Sequence, residues 1–301
     1  MPPSKPRPLD VAAEAKKTYI PYIRQQFSSQ WPATSYLCHA DSMVCPPPQQ
    51  PRHCRFAFFL RDPIDVALDW APTESVAIPV IMPANEKRPG GDWEAGVMSP
   101  EECLCRRSNL YATLTTPAPG NSAPSNYPVP PKAGIFSENV VVFRSGPDKY
   151  QVWQEYKALP IISVPPVKRP KLSAAGTYSF AQERELMREK IRTALRIAVY
   201  YGYPNVCISS FGLGPGFRNP PEEVAVMWQD AFLRDPEFVG WFGDVVFAFD
   251  PPEGEGSKGS PKAKGSSSSS SSGKEKSTAA SDLEVFKHIF KPAVIHDAFK
   301  A

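Results

Sequence analysis

The stretch from Asn205 to Asp250 limits the fold more than any other. NVCISS reads as a buried strand, and FGLGPGFRN as a loop with glycines at 212, 214 and 216. Pro220-Pro221-Glu222-Glu223 starts a helix whose apolar side holds Val224, Met227, Trp228, Ala231 and Phe232, and DVVFAFD is the next strand. Strand, loop, helix and strand make a βαβ unit, so the chain is expected to be α/β. The loop also turns backbone amides and a helix N-terminus toward one point, which favours an anion, most often phosphate. Its spacing is that of neither a P-loop nor a dinucleotide fingerprint, and a plain connecting turn fits the pattern equally well.

A second stretch, Ile78 to Tyr111, has the same order. An apolar run from Val76 to Met82 breaks into a loop with Pro83, Pro89, Gly90 and Gly91, then closes on Ser99-Pro100-Glu101-Glu102. Two carboxylates beyond a strand end stand where α/β proteins build ligand sites. Taken alone, Glu101 and Glu102 also suit a first helical turn, where acidic groups complement the helix dipole. Cys103 and Cys105 read as packed thiols of that helix. Arg106 and Arg107 remain open between phosphate and carboxylate partners.

The rest of the chain supplies the scaffold. Phe180 to Tyr201 is the clearest helix, with Met187, Ile191, Ala194, Leu195 and Ala198 on one stripe and Gly202 as its stop. Strands are expected over 134–144 and 158–167; neither looks half-exposed, which suits a sheet covered on both faces. A helix is expected over 10–30, capped by Asp10 and broken at Pro21. RFAFFL reads as a strand, and DPIDVALDWA as a helix with proline in its first turn. Cys38, His39, Cys45, His53 and Cys54 match no standard zinc spacing, and no metal or other cofactor is expected. PPPQQPRH and residues 117–131 read as surface loops. Residues 251–281 hold too few apolar groups to order themselves, and DLEVFKHIFKPAV reads as a helix returning to the body. The plan is therefore one domain: 1–54 an N-terminal helical extension packing on the core, 55–250 the core, 251–281 a disordered insertion, and 282–301 a docking helix.

A net charge of +3, from 34 basic and 31 acidic residues, argues against nucleic acid or an anionic membrane as partner. No apolar run is long enough for a membrane span, and the N-terminus lacks the apolar core of a secretory signal. Six cysteines without a C-x-x-C pair suit a reducing compartment, cytoplasm or nucleus. Lys168-Arg169-Pro170-Lys171 reads as a solvated loop rather than an import signal. A monomer is expected.

The two loops together resemble a family. Gly90-Gly91, then Glu101-Glu102 and Leu104-Cys105-Arg106-Arg107-Ser108, is similar to the motif of the microbial-type poly(ADP-ribose) glycohydrolases, three glycines followed by Gln-Glu-Glu. Gly212, Gly214, Gly216, Phe217, Asn219-Pro220 and Glu222-Glu223 look like that family's diphosphate loop, and the combination with a serine-rich insertion looks like a fungal branch. The resemblance runs over most of 55–250. It implies a macrodomain-like three-layer fold, a mixed central sheet flanked by helices with ADP-ribose in a crevice at the strand ends. It also implies Glu102 as the catalytic carboxylate, Glu101 as a holder of ribose, and Asn85, Gly90, Gly91, Asp92, Gly212, Gly214, Gly216, Phe217 and Asn219 around the ligand. Its partners would be ADP-ribose or ADP-ribosylated proteins.

Two positions depart from the motif. Asp92 stands for the third glycine, adding charge and bulk beside the diphosphate, and Pro100 stands for the glutamine. Adjacent glutamates diverge by about 100° around a helix, so they cannot flank one bond as a conventional glycosidase pair. One of them must therefore serve as acid and then base; the resemblance gives that part to Glu102, and a raised pKa beside a phosphate-bearing substrate would suit it. A hydrolase of ADP-ribose linkages is the expected function. A binding module with weakened turnover, or an enzyme acting on a related sugar phosphate, are the alternatives.

Overall fold

The computed structural model describes residues 6–74, 77–120, 124–251 and 279–292. Two short helices, α1 (Pro8–Glu14) and α2 (Ile20–Gln26), open the chain, followed by strands β1 (Tyr36–His39) and β2 (Arg55–Leu60). Helix α3 (Pro63–Trp70) leads to β3 (Val80–Pro83), then α4 (Pro100–Arg107) and α5 (Leu110–Leu114). A long hairpin, β4 (Ala133–Arg144) and β5 (Val152–Val164), precedes α6 (Ala181–Tyr200) and β6 (Val206–Ile208). The last elements are α7 (Gly214–Phe217), α8 (Pro221–Leu233), β7 (Asp244–Phe249) and α9 (Ala279–Ile289).

The strands form one mixed sheet in the order β1-β4-β5-β3-β6-β7-β2. From β5 to β2 every pairing is parallel, while β4 runs antiparallel to β5 and β1 antiparallel to β4. All four residues of β3 are buried, as a central parallel strand covered on both faces requires. Alternation sorts its side chains: Ile81 faces a core built with α6, α8 and α9, and Val80 and Met82 face one built with α1 to α5. The expected α/β three-layer architecture is the one observed. Because the central strands are parallel, β3, β5, β6, β7 and β2 all end at one edge.

Several local expectations change. Pro21 does not break the first helix, because a π-helical turn at Ala15–Tyr19 widens the backbone ahead of it. Asp10 sits inside the first turn and pairs with Arg7, which is the N-cap residue. The segment before residue 54 is more than a helical extension, since β1 adds a strand to the sheet by pairing Tyr36 with Phe136. Residues 117–131 are not wholly surface: Asn126 and Val129 are buried, and Asn126 donates to the Ser35 hydroxyl at 2.8 Å. Helix α9 packs through Phe286 and Phe290 on Phe247, with ring centroids 5.1 and 5.3 Å apart. Of the expected insertion, 252–278 lie outside the described residues.

Candidate active site

The site begins where β3 leaves the sheet. The chain turns at Asn85, whose side-chain oxygen accepts from the amides of Lys87 (2.9 Å) and Arg88 (3.1 Å), an Asx turn that bends the loop back toward α4. Loop amides then meet the first turn of α4. Asn85 N donates to Glu101 Oε2 at 2.6 Å, Gly90 N to Glu101 Oε1 at 3.3 Å, and Asp92 N to Glu102 Oε1 at 3.3 Å. Both glutamates are largely buried, at 3% exposure for Glu101 and 8% for Glu102. They line a cleft of about 480 Å³ together with Asn85, Lys168, Gly216 and Phe217.

The glycines are dictated by this packing. Gly90 and Gly91 have φ of +67° and +55°, the left-handed region, and a Cβ on Gly90 would meet Cys105 Sγ at 2.9 Å. A Cβ on Gly91 would overlap the Glu102 carboxylate. Asp92 is different: its φ of −102° suits any residue, so a side chain is tolerated there. That side chain pairs with Arg88, so the extra charge is balanced within the loop. Pro100 takes the first helical position of α4, where its missing amide costs nothing.

Burial, and then the charge of Glu102, push the Glu101 carboxyl well above the ordinary range, while the amides of Asn85 and Gly90 pull the other way. Tyr127, whose ionisation is pushed up by burial and by Glu101, is a neighbour that sequence reading missed; the loop around it is held by Val129 N donating to Glu86 O at 2.8 Å.

The second glycine loop faces the same cleft. Gly212 has φ of +77°, and a Cβ there would meet Met187 Cε at 2.5 Å. Gly214 and Gly216 have open space beside them, and both belong to the single turn α7, unforeseen from sequence. Phe217 ends this turn and lines the cleft. Its carbonyl accepts from Arg169 N, which ties the loop to the segment carrying Lys168. The Asn219 side chain is engaged within the protein: its Nδ2 donates to Val167 O and Gly212 O, both at 2.7 Å, and its Oδ1 accepts from the Tyr178 hydroxyl at 2.7 Å.

A second cavity of about 540 Å³ adjoins the first and shares Ser99, Pro100, Gly216 and Phe217 with it. The fully buried Arg107 donates there to Asp62 (2.9 Å) and Asp65 (2.5 Å), which settles it as a carboxylate partner. Arg106 donates from Nε to Trp93 O at 2.9 Å and is equally internal. Asp62 also caps α3, accepting from Ile64 N and Asp65 N. Asp250, at the end of β7, lines the cavity too. An acidic residue directly after the apolar strand VVFAF was the signal that could have found it.

Among the described residues, no group of three or more His, Cys, Asp or Glu could hold a metal ion, and no helix is long and apolar enough to cross a membrane. Residues 13–145 match the family model for the microbial-type PARG, catalytic domain. No curated protein matches the sequence. The structure is similar to that of a poly(ADP-ribose) glycohydrolase from Thermomonospora curvata, with a TM-score of 0.65 at 17% identity, covering 94% of this chain and 99% of that one. The same protein bound to the inhibitor ADP-HPD matches at 0.64 and 17%, over 94% and 99%. A poly(ADP-ribose) glycohydrolase from Deinococcus radiodurans in complex with ADP-ribose matches at 0.61 and 20%, over 91% and 98%. The sequence match spans Gly90 to Glu102 and stops short of the second glycine loop, whereas the likeness of fold extends over both.

Proposed function

We infer, from the match of residues 13–145 to the microbial-type PARG catalytic domain, that this chain hydrolyses ADP-ribose linkages at the cleft below Glu101 and Glu102. One observation carries the reading: both carboxylates sit in the first turn of α4, each accepting an amide of the glycine loop, at the open edge of a parallel sheet. The resemblance in sequence and the solved relatives with bound ADP-ribose or ADP-HPD support the choice of ligand.

The roles are those the resemblance implies, and the geometry supports them. Glu101, anchored by two amides, holds a fixed position and orients the sugar through its hydroxyls. Glu102, anchored by one, keeps an oxygen for the reaction. It gives a proton to the leaving oxygen as the bond to the ribose carbon breaks, then takes a proton from the water that attacks the oxocarbenium-like centre. The open backbone of Gly214–Gly216 and the amine of Lys168 border the path of the diphosphate, and Phe217 packs beside it. Asp92, balanced by Arg88, need not repel phosphate. Six free thiols support a reducing compartment, cytoplasm or nucleus.

The test is incubation of the wild type and Glu102→Gln with ADP-ribosylated protein and with free polymer. ADP-ribose released by the wild type alone is the expected result. Binding without turnover by the wild type would leave the binding-module reading, favoured by Asp92 and Pro100. Absence of ADP-ribose binding in calorimetry would remove both.

A further inference from the structure

Arg106 is a fully buried cation, and among the described residues no carboxylate pairs with it. Its guanidinium instead gathers the turn that joins the glycine loop to α4. Nε donates to Trp93 O at 2.9 Å and Nη2 to Val97 O. Nη1 is served differently, facing two sulfurs, Met98 Sδ at 3.6 Å and Cys103 Sγ at 3.9 Å. Both are weak acceptors. Tyr150, 5% exposed, stands beside Arg106 and Cys103, and its buried hydroxyl finds no hydrogen-bond partner. Two buried donors therefore surround these sulfurs with no oxygen between them, an arrangement that any oxygen placed there would relieve.

Of the two sulfurs, Met98 is the reachable one. It is 37% exposed, whereas Met43, Met82, Met187 and Met227 are at 9% or below. Burial pushes the Cys103 thiol up to about 12, so it offers little thiolate, while a thioether needs no deprotonation to react. We propose that Met98 is an oxidation site whose sulfoxide oxygen is taken by Arg106, a redox-responsive clamp on the segment leading into α4. The oxidant is a hydroperoxide, in its simplest form hydrogen peroxide. A sulfur lone pair attacks one peroxide oxygen, and the S–O bond forms as the O–O bond breaks. The departing hydroxide takes the proton of the transferred oxygen and leaves as water; sulfur loses two electrons and the peroxide gains them. The flexible methionine chain turns that oxygen toward Nη1, where a charge-assisted N–H···O bond replaces the contact with sulfur. Arg106 then holds oxygens of residues 93, 97 and 98, directly ahead of the turn that carries Glu101 and Glu102. None of this depends on which ligand the cleft takes.

Limited treatment of the intact protein with hydrogen peroxide tests both parts, peptide mapping by mass reading the site and thermal denaturation the clamp. Met98 should gain one oxygen about tenfold faster than the four buried methionines, following exposure. The oxidised protein should melt about 2–4 °C higher, the effect of one added hydrogen bond to a charged group. Amides 93–98 should exchange with solvent about threefold to tenfold more slowly. In Met98→Leu, peroxide should change neither Tm nor exchange. Oxidation of the buried methionines as fast as Met98, or a Tm that falls once Met98 is oxidised, overturns the proposal. So does a rise in Tm that persists in Met98→Leu. The measurements on the wild type need no variant to fold.

Discussion

Gly91 leaves the space that the Glu102 carboxylate occupies. A methyl group at residue 91 would stand on Glu102 Oε1, and the φ of +55° there already disfavours a side chain. Gly91→Ala should therefore displace Glu102 and lower kcat by about a hundredfold, the cost of misplacing a reacting group by an ångström or so. Thermal denaturation should show a loss of only about 1 kcal/mol from the strained backbone. A variant with normal kcat would mean that Glu102 moves freely and is not held where the reaction needs it.

The Arg88–Asp92 pair offers a double-mutant cycle. Both side chains are about half exposed, at 58% and 48%, so the pair itself contributes little to stability, about 0–1 kcal/mol. Arg88→Ala leaves the Asp92 charge facing the ligand's phosphates and should raise KM about threefold to tenfold at low salt, with the effect fading as salt screens it. Arg88→Ala combined with Asp92→Gly should restore KM. Equal KM values for the single and double variants would show that Asp92 does not sense the ligand.

Asn219 should matter for stability and little for chemistry. Its buried amide bridges Val167, Gly212 and Tyr178. Asn219→Ala strands those partners and should cost about 2–3 kcal/mol, read as a lower Tm. If Tm is unchanged and ADP-ribose binding collapses, the side chain touches the ligand after all.

The ligand-free protein should lose stability as pH rises. Asp250 and Glu101 both have carboxyls raised by burial, so the folded chain binds their protons more tightly than the unfolded chain. That stabilisation is complete below the ordinary carboxylate range and is lost as pH rises through about 7 for Asp250, and through its own raised value for Glu101. Asp250→Asn should flatten Tm between about pH 5 and 8 relative to the wild type. A Tm that climbs over that interval in the wild type, and equally in the variant, would contradict it.

Strand-end logic and residue type carried most of the fold. The parallel core was legible because Val80–Pro83, Val206–Ile208 and Asp244–Phe249 are continuous apolar runs followed by turn residues. β1 was hidden because Tyr36–His39 is an edge strand of four residues among prolines and cysteines, defined by pairing with β4 rather than by its own pattern. In the site, glycines and paired glutamates could be read because their requirement is local. The internal partners of Asn219 were not legible, because an amide in a glycine loop serves ligand or framework equally well, and its contacts Tyr178 and Val167 lie about forty and fifty residues away. Arg107 was left open for the same reason: its partners Asp62 and Asp65 come from another helix.

The four residues common to both cavities make the cleft a pair of tethered half-sites. Each half alone would hold a small fragment only weakly, because a fragment meets one wall and loses its freedom of motion for little in return. Once one end of a joined molecule is seated, its other end experiences an effective concentration of about millimolar or higher in the neighbouring half. Cutting the ligand into pieces thus releases it from this chelation, and a reaction that severs the aglycone while leaving both half-sites filled would be slow to clear its own product.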